Sequence, residues 1–176
     1  MIKTIDSEDV KKYLNAQKKE ILQLFASQIA EITVNIDMFP NNEFVDSEGY
    51  IVGGSETYGR YEGENNKIKI NEDAVVHKID CMQQYFCRQP SGYSTEELFC
   101  FVDLCVLHEC VHAYQHQVVG REMRRNDYEL EKEAYEQSKR IFEKNYTNIS
   151  EQVREKVLNE YEKDFLNCNN KLDTFC

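Results

Sequence analysis

The feature that most constrains this chain is one strongly apolar stretch from Ser94 to about Gln117. Pro90-Ser91-Gly92 breaks the chain before it, and a polar loop at 120–127 follows it. Ser94 with Glu97 forms a capping box, so the stretch is predicted to be a single long helix. Inside it lies His108-Glu109-Cys110-Val111-His112, an HExxH pattern. On a helix, residues four apart lie one turn apart on the same face, so two imidazoles can bind one metal ion. The intervening glutamate points sideways to where a metal-activated water would sit and can take its proton. Chance supplies this pattern in about one chain in a hundred of this composition.

A catalytic metal site of this kind needs a third protein ligand, with the fourth position left to water. The candidates are Glu129, Glu131 and Glu133, on a helix predicted over 128–144. At about 100° per residue, Leu130, Ala134 and Ile141 gather at about 200–240°, and Phe142, Tyr135 and Tyr128 at about 320–360°. Glu131 falls at about 300°, inside that apolar arc, whereas Glu133 at about 140° and Glu129 at about 100° fall outside it. A carboxylate on a buried face is costly unless it is paired or bound to metal, so periodicity selects Glu131 and keeps Glu133 as the alternative. Paired imidazoles with one carboxylate suit Zn²⁺, one ion per chain. His116 lies too far along the helix to join His108 on one ion and reads as a flanking polar residue. His77, on an earlier helix, reads as structural or surface.

The rest of the chain predicts an α+β architecture. Asp6 and Ser7 cap a first helix whose Val10, Leu14, Ile21, Phe25 and Ile29 form one apolar stripe. Residues 32–38 alternate like a half-buried strand, and the glycine-containing stretch 44–71 suits short strands with tight turns. Its last element, Lys67-Ile68-Lys69-Ile70, alternates charge with apolar side chains like an edge strand. Helices are expected over about 72–87 and 150–166. With 176 residues, no repeat and no linker, the chain is expected to be one domain. It divides into an N-terminal helix and strands at 1–64, a metal-site core at 65–145, and a C-terminal helix and tail at 146–176.

Charge narrows the partners. The 21 basic against 32 acidic residues give −11, which argues against nucleic acid or an anionic membrane as the main partner. Arg121, Arg124 and Arg125 are the only basic cluster and read as a solvated loop. No apolar run approaches a membrane span and no leader is visible at Met1, so the expected location is cytoplasmic. The seven cysteines contain no CxxC pair and are expected to be free, mostly buried thiols. Cys100, Cys105 and Cys110 recur every five residues and share no helical face. The sequons at Asn145 and Asn148 would matter only in a secreted chain.

With HExxH on one helix and Glu131-Lys132-Glu133-Ala134 on the next, the chain resembles a minimal gluzincin, over about residues 65–145. The resemblance implies a zincin-like fold with a small, mostly antiparallel sheet, an active-site helix and a following glutamate helix. It also implies a zinc metallopeptidase in which His108, His112 and Glu131 hold Zn²⁺ and Glu109 is the catalytic base. The aspartate that often ends the family's ExxAD motif is replaced by Tyr135. Tyr114, Tyr128 and Tyr135 are candidates for oxyanion stabilisation. The expected substrate is a peptide or protein, aligned along Lys67–Asn71 by strand addition. Two alternatives remain open: a zinc-stabilised, non-catalytic interaction domain, with Cys105 able to close the fourth position, and hydrolysis of a non-peptide amide.

Overall fold

The computed structural model describes residues 5–43, 58–89, 93–122 and 127–172. The sequence expectations for 44–57, for the 90–92 break and for Arg124 and Arg125 lie outside these residues. Among the described residues the fold is mixed α+β, with five α-helices and a three-stranded sheet.

Helix α1 (Ser7–Gln28) starts at Asp6, whose carboxylate accepts the Asp9 N–H at 2.9 Å. Val10, Leu14, Ile21 and Phe25 are its buried stripe, and Ile29 caps its end half-buried. Strands β1 (Asn35–Phe39), β2 (Gly59–Glu62) and β3 (Lys67–Asn71) form a sheet in the order β1-β3-β2. β3 runs parallel to β1 and antiparallel to β2.

Two expectations are corrected here. The sheet is evenly mixed rather than mostly antiparallel, and β3 is its central strand rather than an edge. The Lys/Ile alternation reported one buried face of β3, with Ile68 and Ile70 fully buried. It carried no information about lateral pairing. The lysines on the other face are tolerated centrally because the neighbouring strands partner them. Lys67 and Lys69 place their ammonium groups 4.4 and 5.0 Å from the Phe39 ring centroid, and Lys69 pairs with Glu62 at 3.2 Å.

β3 runs directly into α2 (Glu72–Cys87), with Asn71 as N-cap accepting the Ala74 N–H. The Ser94/Glu97 capping box is present, but its first turn is tight 3-10 helix (Thr95–Phe99) before α3 (Cys100–Gln117) begins. Glu97 also accepts the Ser150 N–H at 2.6 Å, fixing the start of α5 (Glu151–Leu172) against this turn. α4 (Tyr128–Asn145) begins at Asp127, whose carboxylate accepts the N–H groups of Glu129 and Leu130.

α3 is the centre of the molecule. It contacts α1, α2, α4, β2 and β3, and it is buried nearly all round. Cys100, Cys105 and Cys110 are therefore all buried free thiols although they share no face, while Cys81 and Cys87 are exposed. Burying each Leu or Phe on this helix contributes about 1.5–3 kcal/mol. Among the described residues, no helix is long and apolar enough to cross a membrane.

Candidate metal centre

The apolar surface of α3 is interrupted where α4 crosses it. His108 and His112 stand one turn apart, and their Nε2 atoms approach to 3.2 Å. Glu131, in the first turn of α4, places Oε2 3.2 Å from His108 Nε2 and Oε1 3.3 Å from His112 Nε2. In a tetrahedral site with ligands at about 2.0–2.1 Å, neighbouring ligand atoms lie about 3.3 Å apart. Each separation is close to that length, and the two oxygens of Glu131 straddle the imidazole pair. Among the described residues, these three form the one group of three or more His, Cys, Asp and Glu side chains close enough to hold an ion.

The side chains behind the imidazoles decide which nitrogen faces inward. Gln115, fully buried, donates from Nε2 to the Leu130 carbonyl at 3.1 Å and to Glu133 Oε2 at 3.0 Å. Its Oε1 must then face His112 Nδ1, 2.9 Å away, which makes that nitrogen the N–H donor. Glu133 is held in turn by Arg121 at 2.6 Å and by Gln137 at 2.9 Å. Gly120, at φ 73°, reverses the chain so that the Arg121 N–H reaches the Gln115 carbonyl.

His108 is backed from α5. Its Nδ1 lies 2.6 Å from Tyr161 Oη, which lies 2.8 Å from Ser138 Oγ. Ser138 donates to the Ala134 carbonyl at 2.7 Å. The consistent assignment passes donors outward from His108 Nδ1–H through Tyr161 and Ser138 to that carbonyl. Both Nε2 lone pairs and a carboxylate then converge on one point. Three such acceptors repel one another unless a cation lies between them.

The same contacts shift the proton affinities of both groups. Burial opposes ionisation of Glu131, but the two imidazoles outweigh it and hold the carboxyl well below the usual range. Burial also disfavours charge on His112, yet Glu131 pushes it up to about 9, with Glu109 and Gln115 adding to the effect.

Compared with protein-family models, curated proteins and solved structures, the chain matches none. The reading of the centre therefore rests on its own geometry.

Glu109 is buried between α3 and β2. A methyl group at Gly59 would lie 2.8 Å from Glu109 Cγ and Oε1, so glycine there makes room for the carboxylate. The Tyr61 backbone N–H donates to the same carboxylate. The Asn71 N–H bonds the Tyr58 carbonyl, so alternate residues Gly59 and Tyr61 turn their backbone groups away from β3, onto the edge of β2 that no described strand pairs. Burial raises the pKa of Glu109, partly offset by the two histidines.

The remaining expected residues fall elsewhere. Glu133 sits behind the centre, where it holds Gln115, and Glu129 is exposed. Cys105 is buried outside the ligand group. His116 bonds the Tyr61 hydroxyl at 3.0 Å, and His77 lies exposed on α2. Tyr135 stacks against Tyr161 and Phe165, with centroids at 5.1 and 4.3 Å. Tyr128 is exposed and Tyr114 half-buried. Arg121, read as part of a solvated loop, is exposed and also pairs with Glu133. Sequence reasoning missed Gln115, Ser138 and Tyr161. Gln115 had one available clue, an amide three residues after His112 on the same side of an apolar helix. Tyr161, 53 residues from His108, had none.

Proposed function

We propose that the chain is a zinc-dependent metallohydrolase that cleaves peptide bonds. The observation that supports it most is the convergence of His108, His112 and Glu131 within reach of one ion, with Glu109 beside them. The resemblance to gluzincins points the same way. A bound Zn²⁺ would polarise a carbonyl and acidify a water. Glu109 would accept the water's proton at its carboxylate and return it to the leaving amine. Burial, which makes this carboxylate more basic than usual, suits it to both steps. The edge of β2 beside Glu109, which no described strand pairs, is where an extended substrate would add as a strand.

The non-catalytic alternative needs a fourth protein ligand. Among the described residues none joins the three, which supports an open position and a hydrolytic role. The test is metal content by mass spectrometry on wild type, His112→Ala and Glu131→Ala, together with cleavage of a mixed peptide library. About one zinc per chain in wild type, lost with activity in both variants, is expected. Full metal content in both variants, or zinc without any cleavage, would overturn the proposal.

A further inference from the structure

The outer face of α2 carries a second pair of ligating side chains, away from the α3 centre. His77 and Cys81, four residues apart, bring Nε2 and Sγ to 3.7 Å. Both are exposed. An ion bound tetrahedrally at about 2.0–2.1 Å from nitrogen and about 2.3 Å from sulfur separates those atoms by about 3.6 Å. The pair therefore shares a proton at the spacing a metal ion would impose.

The surroundings favour a cation. A cavity of about 380 Å³ adjoins His77 and is lined by Glu72, Asp73 and Asp80, with Ile5 and Val76 as its apolar wall. Asp73 lies one turn before His77 and Asp80 three residues after it, so both carboxylates flank the same side of the helix. Lys11 offsets Glu72 at 2.7 Å. Lys78, the adjacent cation on α2, is engaged instead by Glu160 and Asp164 of α5. Asp73 and Asp80 accept bonds from the Asn41 N–H and from Gln84, which leaves them to act through charge and bridging water.

We propose that His77 and Cys81 form a second metal site, selective for a thiophilic divalent cation of the zinc class. The Cys81 thiol releases its proton to solvent as the metal–sulfur bond forms, and sulfur is not oxidised. Thiolate with imidazole excludes calcium and magnesium as competitors. With two protein ligands, the site fills after the α3 centre and empties before it. This inference is independent of the activity proposed above.

Cobalt(II) titration of the reduced full-length chain separates the two sites, because the α3 centre offers only nitrogen and oxygen. Wild type should show a near-ultraviolet sulfur-to-cobalt charge-transfer band that grows mainly beyond the first equivalent. Cys81→Ser should abolish the band, and His77→Ala should weaken cobalt binding there about tenfold or more. The band should persist in His112→Ala, which removes a ligand of the other centre. A band unchanged in Cys81→Ser, or no band up to millimolar cobalt, would overturn the proposal.

Discussion

Two buried carboxylates stand less than two turns apart on α3, and burial pushes the pKa of each upward. Asp103 is surrounded by hydroxyls: Tyr13 of α1 and Tyr146 at the end of α4 each donate to Oδ2 at 2.9 Å, and Oδ1 has no hydrogen-bond partner. Glu109 is surrounded by imidazoles, a second carboxylate and the backbone of β2. The same burial therefore has two uses. At Asp103 it pins three helices together. At Glu109 it keeps a base beside atoms that collect a cation. A raised carboxylate pKa alone would not distinguish the two; the partners do.

The sharpest way to break this contrast is Glu109→Gln, which should retain zinc and lower peptide cleavage by about 10²–10⁴-fold. Undiminished turnover would place the general base elsewhere. Gly59→Ala should come next, costing about 10²-fold in turnover by displacing the Glu109 side chain at unchanged metal content. Loss of zinc in that variant would mean that Gly59 supports the ligands rather than the base.

The backing residues should act on metal and not on Glu109. Tyr161→Phe and Gln115→Leu are each expected to weaken zinc binding about 10- to 100-fold in a chelator competition. A protein whose affinity ignores both changes would not use these bonds to orient its imidazoles. Proton linkage at His112 gives a smaller, graded effect. Its pKa of about 9 lies above the ordinary 6.5, so the metal-free chain carries a proton there at neutral pH. Zinc must displace it, and apparent affinity should rise about tenfold per pH unit up to about pH 9. Calorimetry in buffers of different ionisation enthalpy should find about one proton released per ion near pH 7.5.

The smallest effect belongs to Asp103. Its pKa, about 7 against the ordinary 3.8, means that the folded chain holds this proton more tightly than the unfolded one. The associated stability is complete below about pH 4 and is lost as pH rises through about 7. Asp103→Asn keeps an oxygen for both tyrosines and removes that loss. Wild type should therefore lose a few degrees of Tm relative to the variant between pH 4 and pH 8, by thermal melts. Parallel slopes would show that Asp103 does not titrate in this range.

What was legible in the sequence follows from how local each determinant is. α2 was readable to its ends because Asn71 caps it and its apolar period is unbroken. Glu131 was readable from helical period alone, since a carboxylate inside an apolar arc needs a partner, and the structure supplies two. The position of β3 in the sheet was not readable, because alternation describes the faces of a strand and pairing involves its sides. Nor was the support of His108, since Tyr161 belongs to another helix and no spacing rule links the two.

The bond between His108 and Tyr161 ties the HExxH helix to α5. During synthesis, the HExxH segment and Glu131 leave the ribosome before Tyr161 does. Until then His108 lacks the hydroxyl that fixes its orientation, and the earlier histidine is free to turn. The centre is thus finished only when α5 has been made, so full capture of metal waits on a helix that carries none of its ligands.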